Sequence, residues 1–233
     1  MKNLFWSASL LVATLLFCGN SYGQNRENRD VSGFTHVSFG ISGNLFIKTG
    51  PQFSLVLEGD KNILDDIETE VSGNKLVIRK ENWRSSLRDE KVTVNLTMPQ
   101  IEGLSVSGSG KLEISNPVVS DNLSLAVSGS GKILTTDLDA DDLNCAISGS
   151  GDIILGGKGS VDDGEISISG SGSFSGEAVE IDHLEIGVSG SGNCVCNVKG
   201  TLDASVSGSG DILYSGNPKI DARVSGSGRV RSR

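Results

Sequence analysis

Seven copies of Ser-Gly-Ser-Gly constrain this chain more than any other feature. They begin at Ser107, Ser128, Ser148, Ser169, Ser189, Ser207 and Ser225. The spacings are 21, 20, 21, 20, 18 and 18 residues. A near-constant period of this length is the mark of one structural unit stacked on itself. It is too short for a βαβ crossover or a propeller blade, and it fits one rung of a parallel β-solenoid.

Within residues 123–133, Leu123, Leu125, Val127, Gly129, Gly131 and Ile133 alternate with Ser124, Ala126, Ser128, Ser130 and Lys132. Period-two alternation reads as extended chain with one buried face. The same frame fits Leu143/Cys145/Ile147/Ile153/Leu155, Leu184/Ile186/Val188/Cys194/Cys196 and, last, Ile220/Ala222/Val224/Val230. No segment of this region carries a helical i, i+3, i+4, i+7 stripe. The expected fold is therefore all-β, a single-stranded parallel β-solenoid with 18–21 residues per rung. Two glycines inside a strand pattern mark a bend or a close backbone approach. Recurring once per rung, they predict a coil corner with no room for a side chain. The intervening serines would stack about 4.8 Å apart, with hydroxyls placed to bond along the stack.

The rest of the chain divides around that stack. Residues 1–23 read as a signal peptide: Lys2, an apolar run from Leu4 to Phe17, then Ser21 and Gly23 before the cleavage point. Cys18 follows Leu15-Leu-Phe17, and the large Phe17 argues against lipid attachment there. Residues 24–30 are polar and expected to be flexible, and 31–233 form one solenoid domain. In it, 31–103 make irregular N-terminal rungs and 104–233 the seven repeat rungs. Ile41-Ser-Gly-Asn44 and Val71-Ser-Gly-Asn74 read as degraded copies of the repeat, and 61–67 as one helical turn. Residues 81–91 are the most charged loop and hold Trp83, expected to fold over an end or side of the stack.

Composition narrows the partners. Net charge is −9, and −10 without the leader, whose only charged residue is Lys2. That disfavours nucleic acid and anionic lipid. Beyond the leader no stretch is apolar and long enough to span a membrane, so an integral membrane protein is not expected. Cys145, Cys194 and Cys196 all fall in the inward frame and read as small buried hydrophobes. Unpaired edges of the end rungs leave room for a homodimer.

Chemistry is sparse. Asp137, Asp139, Asp141 and Asp142, with Asp162 and Asp163 one rung on, are the only calcium candidates, and weak ones. They lack the glycine and terminal glutamate of an EF-hand loop and the pattern of calcium-binding nonapeptide repeats. The residue after each repeat forms a column in which Lys132 should meet Asp152 and Asp211 should meet Arg229. Asp152 and Asp211 share that column but lie about 14 Å apart by rung spacing, too far for a glycosidase pair. His36 and His183 form no defensible triad. No catalytic, cofactor or metal site is assigned, and an enzyme is not expected.

Several motifs resemble one known family: Gly33-Phe34, the strand ending in Met98-Pro99, the seven V/I-S-G-S-G turns and Tyr214-Ser-Gly-Asn-Pro218. Together they are similar to the secreted putative auto-transporter adhesin head domain, or GIN domain, of Bacteroidetes-type bacteria. The resemblance implies a right-handed parallel β-helix and a role in cell adhesion. No membrane barrel follows the last repeat, so self-transport is not expected.

The functional expectation is a non-enzymatic cell-envelope or surface protein that binds a glycan or protein ligand through a rigid solenoid face. Its place would be the periplasm, the outer-membrane surface or the exterior. The alternatives are a periplasmic structural or stress-associated protein and, last, a polysaccharide-acting enzyme.

Overall fold

The computed structural model describes residues 25–81 and 92–233. The leader, Cys18 and Trp83 lie outside the described residues. The chain opens with β1 (Asn25–Arg29), β2 (His36–Phe39), β3 (Asn44–Thr49) and β4 (Ser54–Gly59). A single-turn helix α1 (Lys61–Asp65) follows, then β5 (Ile67–Ser72), β6 (Lys75–Lys80) and β7 (Thr93–Met98). The regular region runs β8 (Gly103–Gly108), β9 (Lys111–Ile114), β10 (Val118–Gly129), β11 (Lys132–Thr135), β12 (Leu138–Gly149) and β13 (Asp152–Leu155). It continues β14 (Gly159–Gly170), β15 (Ser173–Gly190), β16 (Asn193–Gly208), β17 (Asp211–Ser215), β18 (Lys219–Gly226) and β19 (Arg229–Ser232).

These strands stack as a β-solenoid. One wall runs β6, β2, β8, β10, β12, β14, β15, β16, β18, every neighbouring pair parallel. A second wall runs β7, β3, β9, β11, β13, β15, β16, with β17 and β19 after it. The first segments of β10, β12 and β14 pair in register with one another and with residues 179–181 in the middle of β15 as a third wall. Alternation breaks where the third wall turns into the first. There Asp121–Asn122, Asp141–Asp142 and Asp162–Asp163 are pairs of consecutive exposed residues.

The corners explain the repeat. In Gly149 the backbone has φ +113°, and a Cβ there would lie 2.6 Å from the Gly129 carbonyl oxygen. At Gly151 a Cβ would lie 2.4 Å from both the Gly131 carbonyl oxygen and Val127 Cγ1. The first glycine therefore supplies a conformation and the second supplies space. What bonds along the stack is the backbone, not the hydroxyls. The first-glycine carbonyl of one rung accepts the N–H of the second serine of the next. Gly108 thus pairs with Ser130, Gly129 with Ser150, Gly149 with Ser171 and Gly170 with Ser191, each at 2.8 Å. The corner serine side chains themselves are exposed.

Three features of the N-terminal part differ from the sequence reading. Residues 24–30 were expected to be flexible, but β1 pairs antiparallel with β4, and Arg29 Nη2 donates to the Leu64 carbonyl at 3.1 Å. The segment is polar because its backbone, not an apolar face, holds it. Val71-Ser-Gly-Asn74 is no rung corner: Gly73 (φ +60°) turns the antiparallel hairpin of β5 and β6. Ile41-Ser-Gly-Asn44 does hold a corner, displaced by two residues, since Phe39 is in register with Val106 and Gly43 accepts from Lys111 at 2.8 Å. The rungs also stack out of chain order. β2 and β3 lie between β6/β7 and β8/β9, so the chain steps outward once and then builds back over its first rung. The antiparallel strands β1, β4 and β5 flank that outer rung. The predicted helical turn is α1, and its Ile63 and Leu64 are buried.

The inward frame is buried as far as Ile212, including Cys145, Cys194 and Cys196. All three cysteines are free thiols. The last rung keeps the frame without the burial: Ile220 is 41% and Val224 45% exposed.

Two outcomes follow. Gly149→Val and Gly151→Val each lower the melting temperature, by about 5 °C or more, through a strained φ or an overpacked corner. An unchanged melt would contradict the corner geometry. Burial pushes the Cys145 thiol up; a hydrogen bond with Cys196, and then burial, push up Cys194. A thiol raised in the folded chain stays protonated where the unfolded one ionises. Its stabilisation is full below about pH 8.5 and is lost as pH rises beyond it, by about 1.4 kcal/mol per pH unit per thiol. Urea midpoints between pH 8 and 10 should fall less steeply for the Cys145→Ala/Cys194→Ala variant than for the native chain.

Candidate functional site

In-register stacking turns sequence positions into columns on the outer face of the first wall. Four residues before each repeat serine stand Ser124, Asn144, Glu165, Glu185, Asp203 and Asp221, paired rung to rung. All are exposed, and the last four are carboxylates. Two residues further along each strand come Ala126, Ala146, Ser167, Gly187, Ser205 and Arg223. Next are the repeat serines. On the other side, at the bend, stand Asn122, Asp142, Asp163, His183, Thr201 and Lys219.

The surface so formed is a strip of small residues with an acidic column on one side and a serine column on the other. Among the described residues, three neighbouring recesses lie along its later rungs. One of about 330 Å³ is lined by Asp142, Asp163, Glu165, His183, Glu185 and Asp203 among others. A second, about 320 Å³, shares Glu185 and Asp203 and adds Ser205, Asp221 and Arg223. A third, about 440 Å³, shares Ser205 and Arg223 and is lined by Ser167, four repeat serines, Gly187 and Val224 among others. Each adjoins the next through these shared lining residues. A Cβ at Gly187 would meet only Ser205 Oγ, at 3.7 Å, so the glycine opens the floor rather than closing a corner.

Carboxylates about 4.8 Å apart repel by about 1 kcal/mol per neighbouring pair in water, less in salt. The acidic column therefore does not help the fold. His183 stands beside it in the bend column, with Nδ1 2.9 Å from Thr201 Oγ1 and Nε2 3.8 Å from Asp182 Oδ2. His36 lies towards the other end of the same wall, 3.0 Å from Thr35 Oγ1. The side-chain hydrogen bonds of the two histidines run to Thr35 and Asn74 from His36 and to Thr201 from His183.

Two of the calcium candidates, Asp137 and Asp139, have hydrogen-bond partners on the next rung. Asp137 Oδ1 accepts the Lys158 N–H at 2.9 Å, and Asp139 Oδ1 accepts the Ser160 N–H and hydroxyl at 3.0 Å. These two carboxylates tie one rung to the next. Asp141, Asp142, Asp162 and Asp163 point outward at the bend, with Asp142 in register with Asp163. Among the described residues no group of three or more His, Cys, Asp or Glu side chains is arranged to hold a metal ion. In the column after the repeats, Lys132 meets Asp152 at 2.7 Å as expected. Asp211 meets Arg231, at 4.0 Å, rather than Arg229.

Sequence reasoning missed the carboxylate column. Glu165, Glu185, Asp203 and Asp221 are 20, 18 and 18 residues apart, and no local window holds two of them. Aligning the rungs on the repeat serine would have exposed it.

No helix of the described residues is long and apolar enough to cross a membrane. Solved structures of similar shape are known. A putative adhesin from Bacteroides fragilis superposes with a TM-score of 0.86 at 25% identity, over 91% of this chain and 98% of that one. A putative lipid binding protein from Parabacteroides distasonis gives 0.73 at 22% identity, over 91% and 98%. A putative adhesin from Parabacteroides merdae gives 0.70 at 17% identity, over 91% and 97%. The last two share the fold. The comparison with curated proteins found no match. Residues 33–218 match a family over most of the solenoid, and the chain belongs to it: the putative auto-transporter adhesins, head GIN domain.

Proposed function

We propose that this protein is an exported, non-enzymatic envelope or surface protein that binds an extended glycan or protein ligand along the outer face of its first wall. The observation that carries this reading is the run of three adjoining recesses, each sharing lining residues with the next, over one strip of in-register columns. Solenoids use such extended faces in place of deep pockets. Small residues along the strip let a chain-like ligand approach the sheet. Serine hydroxyls on one side and carboxylates on the other offer hydrogen bonds to sugar hydroxyls or to peptide and cationic groups. Membership of an adhesin family and the fold shared with the Bacteroides fragilis protein agree with a binding role. The repeated charge on the acidic column, which does not favour folding, stands at a face where a ligand would meet it.

A second reading rests on the same column. Neighbouring carboxylates at rung spacing approach the separation that glycoside hydrolysis requires. The recesses are open and their carboxylates exposed, which leaves nothing to exclude water from a reacting bond. One experiment separates the two. The purified protein is offered to immobilised polysaccharides and host-matrix proteins, and both retained protein and released fragments are measured. Saturable retention without fragments supports binding; fragments that vanish in a Glu165→Gln/Glu185→Gln variant would support cleavage.

The face itself is tested by Gly187→Trp. Its backbone allows a side chain, so the melting temperature should stay within about 3 °C of the native value. An indole laid across the floor should weaken ligand retention by about tenfold or more. Full retention by this variant would move the site off the first wall.

A further inference from the structure

The stack presents an unpaired edge at β18. Among the described residues, β18 pairs only with β16, and its outer edge has no partner. It also leaves Ile220 and Val224 exposed, where the two preceding rungs bury Leu202 and Leu184, and Val206 and Val188. We propose that β18 is a self-complementary edge, and that a second copy of this chain covers it by antiparallel strand pairing about a two-fold axis at Ala222.

Backbone direction supplies the first argument. At the equivalent register position earlier in the stack, Ser124 N–H donates back to the Glu102 carbonyl at 2.8 Å. Backbone groups alternate in direction along a strand. Those of Asp221 and Arg223 therefore point into the stack, and those of Ile220, Ala222 and Val224 point out to the free edge. An isologous pair centred on Ala222 places Ala222 opposite Ala222, and Ile220 opposite Val224, as hydrogen-bonded pairs. Their side chains share the core side, so the two cores become continuous.

Charge supplies the second argument and sets the register. In this pairing Asp221 faces Arg223 of the other copy, twice, at the positions where opposing side chains approach most closely. Within one chain Arg223 Nη2 already donates to Asp221 Oδ2 at 3.1 Å, so the two copies would form an alternating four-member cluster. Shifting the axis by one residue in either direction puts Asp221 opposite Asp221 or Arg223 opposite Arg223. The remaining cations of the end rung are partly compensated by earlier rungs. Arg233 pairs with Glu177, and Arg231 lies 4.0 Å from Asp211. An isologous contact closes on itself, which limits the assembly to two copies and extends the ligand-facing wall through the axis.

The test is the mass of the purified protein by sedimentation. Native protein should be a dimer that dissociates on dilution. Asp221→Arg places arginine opposite arginine at both sites and should weaken association by about tenfold or more. Adding Arg223→Asp swaps the charges and should restore the dimer. Both residues are exposed, so unchanged melting controls for folding. Ala222→Cys should give an oxidised dimer, because the paired Cα atoms would lie about 5.5 Å apart. The proposal is overturned by a monomer at every concentration up to the solubility limit, by a dimer indifferent to Asp221→Arg, or by failure of the charge swap to rescue. Capture of an acidic strand peptide by a purely monomeric protein would overturn it as well, assigning the edge to an unlike partner.

Discussion

The structure depends on one backbone contact repeated at every regular corner. A glycine with positive φ turns its carbonyl along the stack, and the serine N–H of the next rung meets it at 2.8 Å. No residue with a side chain fits at that glycine without strain. The contact fixes the angle of the corner and the vertical register of two walls together. Everything outward follows from that register. Because Gly149 sits on Gly129 and under Gly170, Glu165 must lie between Asn144 and Glu185. The face is therefore written by the repeat spacing, while its chemistry is free to vary at each outward position.

Much of the regular region could be read from the chain. The inward frame from Leu104 to Ile212 and the two glycines per corner are both strictly periodic, and period is what burial and close approach impose. The irregular end was less legible for equally physical reasons. β1 is held by main-chain bonds to β4, and such bonds leave no apolar signature in Asn-Arg-Glu-Asn-Arg. Val71-Ser-Gly-Asn74 uses glycine for a hairpin turn, which a short motif cannot distinguish from a solenoid corner. The position of β2 between β6 and β8 is a fact of topology that no local pattern encodes. The carboxylate column was hidden because its members are neighbours in space and far apart in the chain.

The outer face and the open edge show what the fold leaves over. Acidic residues at rung spacing oppose the stack slightly, and exposed Ile220 and Val224 forgo burial that earlier rungs enjoy. Neither feature is explained by the stability of a single chain. The proposed ligand along the wall would account for the first, and the proposed second copy at its end for the second. A dimer would present two such faces on one rigid body, and two linked sites raise avidity without new contacts.

The corner contact can be tested directly by amide hydrogen exchange. The amides of Ser130, Ser150, Ser171 and Ser191 belong to residues whose side chains lie in water. If their N–H groups are locked to the preceding rung, they should exchange only on global opening, as slowly as the buried amides of Leu125 and Ile147. Exchange near the rate of an unprotected chain would mean that these corners are loose, and that the columns built on them are not held in register.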